Sequence, residues 1–563
     1  MNKQVVIIAG GLGLLVALVG QVIAQASFSG DDGHMLQLAA WHPFWHYIIN
    51  PETYQLLSVK HFTPLVPALY QGMLMLFGVS PAAFFGLQAL LLTLSLFFLL
   101  KLITQRTGSI LAVLVFCLAI IAVGSLPTLL LRNYTLHYLL GGVFTAFWLW
   151  RFLPERLLPE KAPSMFLRKD QNLTLFVGLP LLAFLSKEIY LPLFALMLLF
   201  TLIRSVRGGG IDQEKWTFLF SAAVLVLYFI GRGWMLDLAL PSKDSAGFLA
   251  GLRQINLAQW QHFFTWYGQH HWGLLLLVLI AFGFNFKGML RYSLLAGLFL
   301  APLVAAPHGF LQPEFHADRL LYPFHIGLAL AQALALGERF KASNVLSNKN
   351  ILIVAGGFWL VLLFRMWLFP ASFPGFEAAE RVQVRQLIQQ VNAEHRQGHI
   401  NSPQTPNNRR LVPPTFKLSG LMSAYQVFAD TPVTFTPNCF SVLQQAGDTL
   451  PVAAFWQPEH QHAGLVTRHT LEQQCLPLDL GDHQLKVIQP VSLSAAKHLR
   501  WHVAWPKPGV QVGVFFPARG LMIATAYFDQ PLVRPLKNER YQWVIRDQNH
   551  WWFSEPQPVI FEP

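Results

Sequence analysis

Apolar runs about as long as a bilayer is thick recur along this chain, near residues 5–25, 80–101, 108–124, 136–153, 172–187, 189–204, 216–236, 272–287, 290–306, 319–338 and 350–370. A helix needs about 20 predominantly apolar residues to cross the hydrocarbon core. Backbone in lipid must also satisfy its own hydrogen bonds, so each run is expected to be helical. Eleven such runs limit the chain to a polytopic α-helical membrane fold over residues 1–370. Residues 63–78 are apolar too, but Pro64 and Pro67 favour a re-entrant or interfacial segment.

Charge supports the same reading. Only 12% of residues are charged, where soluble domains carry roughly 25%. The net charge of +12 does not read as a nucleic-acid footprint, because the basic residues sit in alternate short loops. One set of loops holds Lys101 and Arg106, then Arg151, Arg156, Lys161, Arg168 and Lys169, and later Arg204, Arg207, Lys215, Lys287, Arg291, Arg339, Lys341 and Lys349. The opposite loops hold few: Lys60, Arg132, Lys187, Lys243, Arg253 and Arg319. The positive-inside rule then puts the N-terminus in the cytoplasm and, with an odd number of spans, the C-terminal part outside. Ala24-Gln25-Ala26 would also suit a signal-peptide cleavage site. Removing the first run would invert the charge pattern downstream, so it is read as a retained helix.

The composition changes after residue 370. "FEAAERVQVRQLIQQVNAEHRQ" (376–397) has apolar residues at helical spacing, which makes 371–400 a linking amphipathic helix. Beyond it, "VQVGVFFP", "MIATAYF" and "RYQWVIRD" alternate between turn residues, so 401–563 is expected to be a mixed, mostly β extracytoplasmic domain. Cys117 lies in an apolar run, whereas Cys439 and Cys475 have a gap suited to one disulfide. In an oxidising compartment that bond stabilises by about 3–4 kcal/mol.

Polar groups converge on the outer face. The first outer loop carries Asp31, Asp32, His34, Lys60 and His61, and later loops add Arg132, Lys187, Glu188, Arg319 and Tyr322. Charge beside hydrocarbon is expensive and defaults to a functional role. Each has a plainer reading as well. The two aspartates could cap the next helix, although a cap needs only one acid. Lys187 and Glu188 could form a hairpin ion pair at the interface. Arg319 is an outlier among arginines that otherwise face inward, and it suits an anion. Other loop histidines, including His262, His270 and His271, read as solvated surface.

An opening transmembrane helix followed by Gly30-Asp31-Asp32 and an aromatic-rich loop, together with "LSKEIYLP" and "DRLLYP", resembles the GT-C fold glycosyltransferases. Protein O-mannosyltransferases and the aminoarabinose transferases of lipid A are similar. Many members place Asp-Glu or a lone Asp where this chain has Asp-Asp. The resemblance implies a polyprenyl-phosphate sugar donor and a hydroxyl acceptor on a glycan, lipid or protein, joined at the outer face of a bacterial inner membrane. It implies Asp31 or Asp32 as base, with a divalent cation as the one cofactor this pair could hold. Arg319 would take the phosphate, with Lys187, Arg132 and Tyr322 beside it and Glu188 orienting Lys187 or the sugar. His34, Lys60 and His61 would meet the acceptor. No nucleic-acid partner is expected. A flippase of lipid-linked sugars, or a non-enzymatic envelope-assembly protein, would share the topology. Ionisable residues gathered at one face favour surface chemistry over transport.

Overall fold

The computed structural model describes residues 28, 31–51, 53–54, 62–123, 126–156, 172–207, 212–236, 256–300, 313–340 and 347–368, together with short strands and adjoining residues between 409 and 558. The run at 5–25, the linker 371–400, Lys60, His61 and Cys439 lie outside the described residues.

Among the described residues, fourteen α-helices run in chain order: α1 (Asp31–Trp41), α2 (His46–Ile49), α3 (Leu65–Phe77), α4 (Pro81–Thr107), α5 (Ile110–Ala122), α6 (Leu126–Leu131), α7 (Leu136–Arg156), α8 (Asn172–Ser186), α9 (Leu191–Arg207), α10 (Asp212–Met235), α11 (Leu257–Phe284), α12 (Phe286–Gly297), α13 (Pro313–Arg339) and α14 (Asn348–Leu368). Three-residue 3₁₀ turns, Asn133–Thr135 and Glu188–Tyr190, precede α7 and α9. Among the described residues, five helical segments are long and apolar enough to cross a membrane: Pro81–Thr107, Phe218–Met235, Leu257–Phe284, Arg319–Arg339 and Asn350–Trp367. At 13 residues, α3 is too short to cross alone, as its prolines imply.

Local chemistry sets several boundaries. Ser80 caps α4 by accepting from the Ala83 N–H, with Pro81 at the first helical position. Gly108 ends α4 in the left-handed region (φ 63°), which costs glycine nothing. Ser109 then caps α5 through the Ala112 N–H.

One boundary corrects the sequence reading. Helix α11 starts at Leu257, far ahead of the apolar run at 272, behind a reciprocal Asn256–Gln259 capping box. The extra turns are rich in aromatics, glutamine and histidine, which hydropathy undercounts. His262 and His270 are therefore helical, and His271, where α11 kinks out of helical backbone (φ −124°, ψ 18°), is fully buried against His325 of α13, ring centroids 4.4 Å apart.

The core lies between α4, α7 and α8 on one side and α13 with α5 and α12 on the other, with α13 also packed on α4 and α11. Leu92, Leu96, Leu99, Ile103, Ala112 and Phe116 are buried there. Apolar side chains on α10 and α14, such as Leu227, Ile230, Phe364 and Trp367, point outward, as lipid-facing surface requires.

The C-terminal stretches form strands β1 (Arg409–Val412), β2 (Val433–Phe435), β3 (Val452–Gln457), β4 (His462–Val466), β5 (Cys475–Pro477), β6 (Ser492–Leu493), β7 (Leu499–Arg500), β8 (Gln511–Phe516), β9 (Leu521–Ala524), β10 (Arg540–Arg546), β11 (Trp551–Phe553) and β12 (Gln557–Pro558). One sheet has the order β2-β1-β3-β4, with β1 parallel to both its neighbours. Another runs β5-β11-β10-β8-β9, with β12 on β10, and buries Val514, Phe515, Trp543, Val544 and Ile545. Cys475 on β5 is buried and disulfide-bonded, while Cys117 is free.

Candidate functional site

The site is built where the turn between α6 and α7 meets the start of α1. Asp32 is completely buried, and its Oδ1 accepts the backbone N–H of Tyr134 at 2.6 Å. The carboxylate thus spends one oxygen on a segment remote in sequence rather than only on its own helix end. A fully buried carboxylate needs such charge-assisted partners to stay ionised.

Tyr134 is also where two arginines meet. The guanidinium carbons of Arg132 and Arg319 each lie 5.9 Å from the centre of its ring, within cation–π range. Arg132 is buried and Arg319 half-buried near the N-terminal end of α13. Three of the residues expected at the site, from three distant segments, therefore gather around one residue, Asp32 at the backbone amide of Tyr134 and the two arginines at its ring.

The turn that carries Arg132 and Tyr134 is fastened from below by Gln88 of α4. Its amide nitrogen donates to the Arg132 carbonyl (2.7 Å), the Leu129 carbonyl (3.1 Å) and Thr135 Oγ1 (3.3 Å). Asn133 and Tyr70 extend the network, the Tyr70 hydroxyl donating to the Asn133 carbonyl at 2.8 Å. Buried as they are, these backbone groups have no water to turn to, so the side chain of Gln88 replaces it. A glutamine within the apolar run at 80–101 was the sequence signal for this.

The turn at Lys187 and Glu188 differs from the expectation. Glu188 does not pair with Lys187: its Oε1 accepts from Arg232 Nε (2.8 Å), the Tyr228 hydroxyl (3.1 Å) and the Phe62 N–H (3.1 Å). Lys187 starts the 3₁₀ turn in extended backbone, which sends the two side chains in different directions. Arg232 was missed because it lies within an apolar run; a charge there was the available signal. The Glu188–Arg232 pair ties residue 62, just before α3, to α10. Beside it Tyr54 is buried, which pushes its phenol well above the ordinary range, and its oxygen accepts the Thr63 N–H.

Lys187 instead stands over the Tyr138 ring, its Nζ 5.4 Å from the centre, and it is nine-tenths buried. The Tyr190 hydroxyl donates to the Tyr138 carbonyl. Tyr322 is buried next to them: a methyl group on Gly142 would stand 3.5 Å from its hydroxyl and 3.4 Å from that of Tyr190. Gly141 is required more strictly, since any Cβ there would overlap the Tyr190 ring. The small Gly141-Gly142 pair is what lets the 3₁₀ turn and α13 both approach α7.

Asp31 opens α1 and His34 lies one turn later, but their side chains are outside the described set. Among the described residues, no group of three or more His, Cys, Asp or Glu side chains could hold a metal ion. The described cluster thus offers one anchored carboxylate, two guanidinium groups on a shared ring, and an ammonium over the ring of Tyr138, four residues further along the chain from Tyr134. That set can hold an anionic group beside a carboxylate able to accept a proton. Comparison with protein-family models, curated proteins and solved structures gives no match.

Proposed function

We propose that the chain is a GT-C-type membrane glycosyltransferase that moves a sugar from a polyprenyl-phosphate donor to a hydroxyl of a glycan, lipid or protein. The reading rests above all on the meeting of Asp32, Arg132 and Arg319 around Tyr134. Transfer of this kind needs a carboxylate at the acceptor hydroxyl and positive charge at the departing phosphate. Guanidinium groups match phosphate oxygens in a forked geometry. A positioned base contributes about 10²–10⁴ in rate, and a carboxylate also stabilises developing oxocarbenium charge.

In this reading the acceptor hydroxyl attacks the anomeric carbon, its proton passes to Asp31 or Asp32, and the lipid phosphate leaves toward Arg319 and Arg132. A single displacement inverts the anomeric centre. The lipid tail of the donor stays in the bilayer beside α13. The setting is the outer face of a bacterial inner membrane, with about eleven spans, a cytoplasmic N-terminus and a β-rich extracytoplasmic domain carrying a Cys439–Cys475 bridge. The test is to compare cells bearing the wild-type chain with Asp32→Asn and Arg319→Ala variants that insert equally well. Both variants should lose transfer to the native acceptor; full transfer by both would defeat the assignment.

A further inference from the structure

A second polar cluster lies at the far end of α13. Arg319 and Arg339 close the two ends of one 21-residue span, so they stand about 30 Å apart along the helix axis. At the Arg339 end, three helices meet on Tyr292 of α12, which is buried. Its hydroxyl donates to Glu338 Oε1 of α13 at 2.5 Å. The Arg106 side chain of α4 reaches the same hydroxyl, and the guanidinium carbon of Arg291 stands 5.7 Å from the ring centre. Close backbone contact fixes this meeting. A methyl group on Gly337 would overlap Thr107, so the ends of α13 and α4 touch directly. Asn285, just before α12, donates to the Ala335 carbonyl at 2.7 Å and accepts the Gly288 N–H at 3.0 Å. That ties the corner between α11 and α12 to α13.

Charge at this corner is one-sided. Lys287 and Arg291, four apart on α12, share one face of the helix, and both are exposed, as is Arg339. With the half-buried Arg106, that sets four cations against one acid among the described residues of these helix ends. The acid is Glu338, whose carboxylate is engaged by Tyr292. Cations gathered in this way repel one another until an anion comes between them. Apolar surface borders them: Phe284 and Phe340 pack 5.7 Å apart, and both are exposed, as are Phe286 and Leu290. A phosphate that carries acyl chains meets both requirements, whereas a free phosphate meets only the first.

We infer that this corner of α4, α12 and α13 is a binding site for an anionic phospholipid, its phosphate against Arg106, Arg291 and Lys287 and its acyl chains along Phe284 and Phe286. Basic clusters between membrane helices suit such headgroups, and each Lys or Arg adds to the attraction. The shared tyrosine distinguishes the corner from a merely basic surface, because it holds cations from two helices in register. Toward their other ends, α4 and α13 carry Gln88 and Arg319. Lipid held here braces the helices behind the candidate functional site, whatever reaction that site performs.

The experiment uses the full-length protein in neutral detergent and two lipids with the same chains, dioleoylphosphatidylglycerol and dioleoylphosphatidylcholine. Native mass spectrometry and thermal stabilisation read the binding. Wild type should prefer the anionic lipid by about ten-fold or more, and by less at high salt. The double variant Arg106→Gln/Arg291→Gln should bring the two lipids to within about two-fold. Glu338→Gln keeps an acceptor for Tyr292 while removing the negative charge, so it should raise the preference; Lys287→Gln should lower it. These two single variants decide the matter if the double variant folds poorly. Removing two charges at other helix ends, Arg151→Gln with Lys215→Gln, should leave the preference unchanged. Glycerol phosphate at equal concentration should not stabilise the protein. Equal binding of the two lipids by wild type overturns the inference. So does a preference that Arg151→Gln with Lys215→Gln lowers as much as the Arg106 and Arg291 variants do, or equal stabilisation by glycerol phosphate.

Discussion

Asp32 and Tyr134 are 102 residues apart in the chain, yet the carboxylate of the first holds the backbone amide of the second at 2.6 Å. That bond fixes where α1 begins relative to α7, and so where an acid sits relative to Arg132 and Arg319. It also separates two roles that one side chain plays.

Asn at position 32 can still accept from the Tyr134 amide but carries no charge, whereas Ala can do neither. Asp32→Asn should therefore melt within a few degrees of wild type while transfer falls by about 10²-fold or more. Asp32→Ala should in addition lose about 1–3 kcal/mol of stability, the cost of a buried amide left without its acceptor. Thermal melts and transfer assays on the same preparations read both effects.

Gln88 makes a sharper structural prediction. Gln88→Leu removes the donor shared by the Arg132 and Leu129 carbonyls and Thr135. A loss of about 1–3 kcal/mol is expected, along with weaker anion binding because Arg132 and Tyr134 ride on that turn. Anion affinity measured beside stability checks this; a Leu variant with wild-type values for both would show that the turn needs no such fastening.

The pair Glu188–Arg232 is partly exposed, with side-chain accessibilities of 22% and 25%, so screening limits its direct worth to about 1 kcal/mol. A double-mutant cycle of Glu188→Gln and Arg232→Leu should give a coupling of that order, reduced at high salt. Because Glu188 also binds the Phe62 amide, either variant should make the segment before α3 more open to protease. Unchanged cleavage in both would argue that the loop is held elsewhere.

Gly141 faces the Tyr190 ring with no space for a methyl group. Gly141→Ala should destabilise by about 1–3 kcal/mol through overpacking. Tyr190→Ala is itself destabilising, but the double variant should be more stable than the two single effects sum to. Strict additivity would place the clash elsewhere.

How far the sequence revealed this site depends on the kind of signal each residue gave. Arg132, Lys187 and Arg319 stood out because few basic residues lie on that side of the charge alternation, and a topology argument alone set them on one face. Asp32 stood out as a charge next to an apolar run. The pairing of Glu188 was not legible: neighbours in sequence invite pairing, but the extended backbone at Lys187 parts them, and the true partner lay hidden in the apolar run of α10. Gln88 and the aromatic-rich start of α11 were lost for a related reason. Hydropathy averages over a window, so one amide in a leucine-rich helix, or histidines among tryptophans, disappear into the mean.

The measurement that bears most directly on the catalytic proposal is mass spectrometry of cell-surface glycans from cells carrying either the wild-type chain or Asp32→Asn at equal membrane abundance. Glycosyl transfer through Asp32 predicts that a sugar present in wild type is absent from its acceptor in the variant, while the unmodified acceptor accumulates. Identical glycan profiles from the two strains, with both proteins inserted and folded, would contradict it.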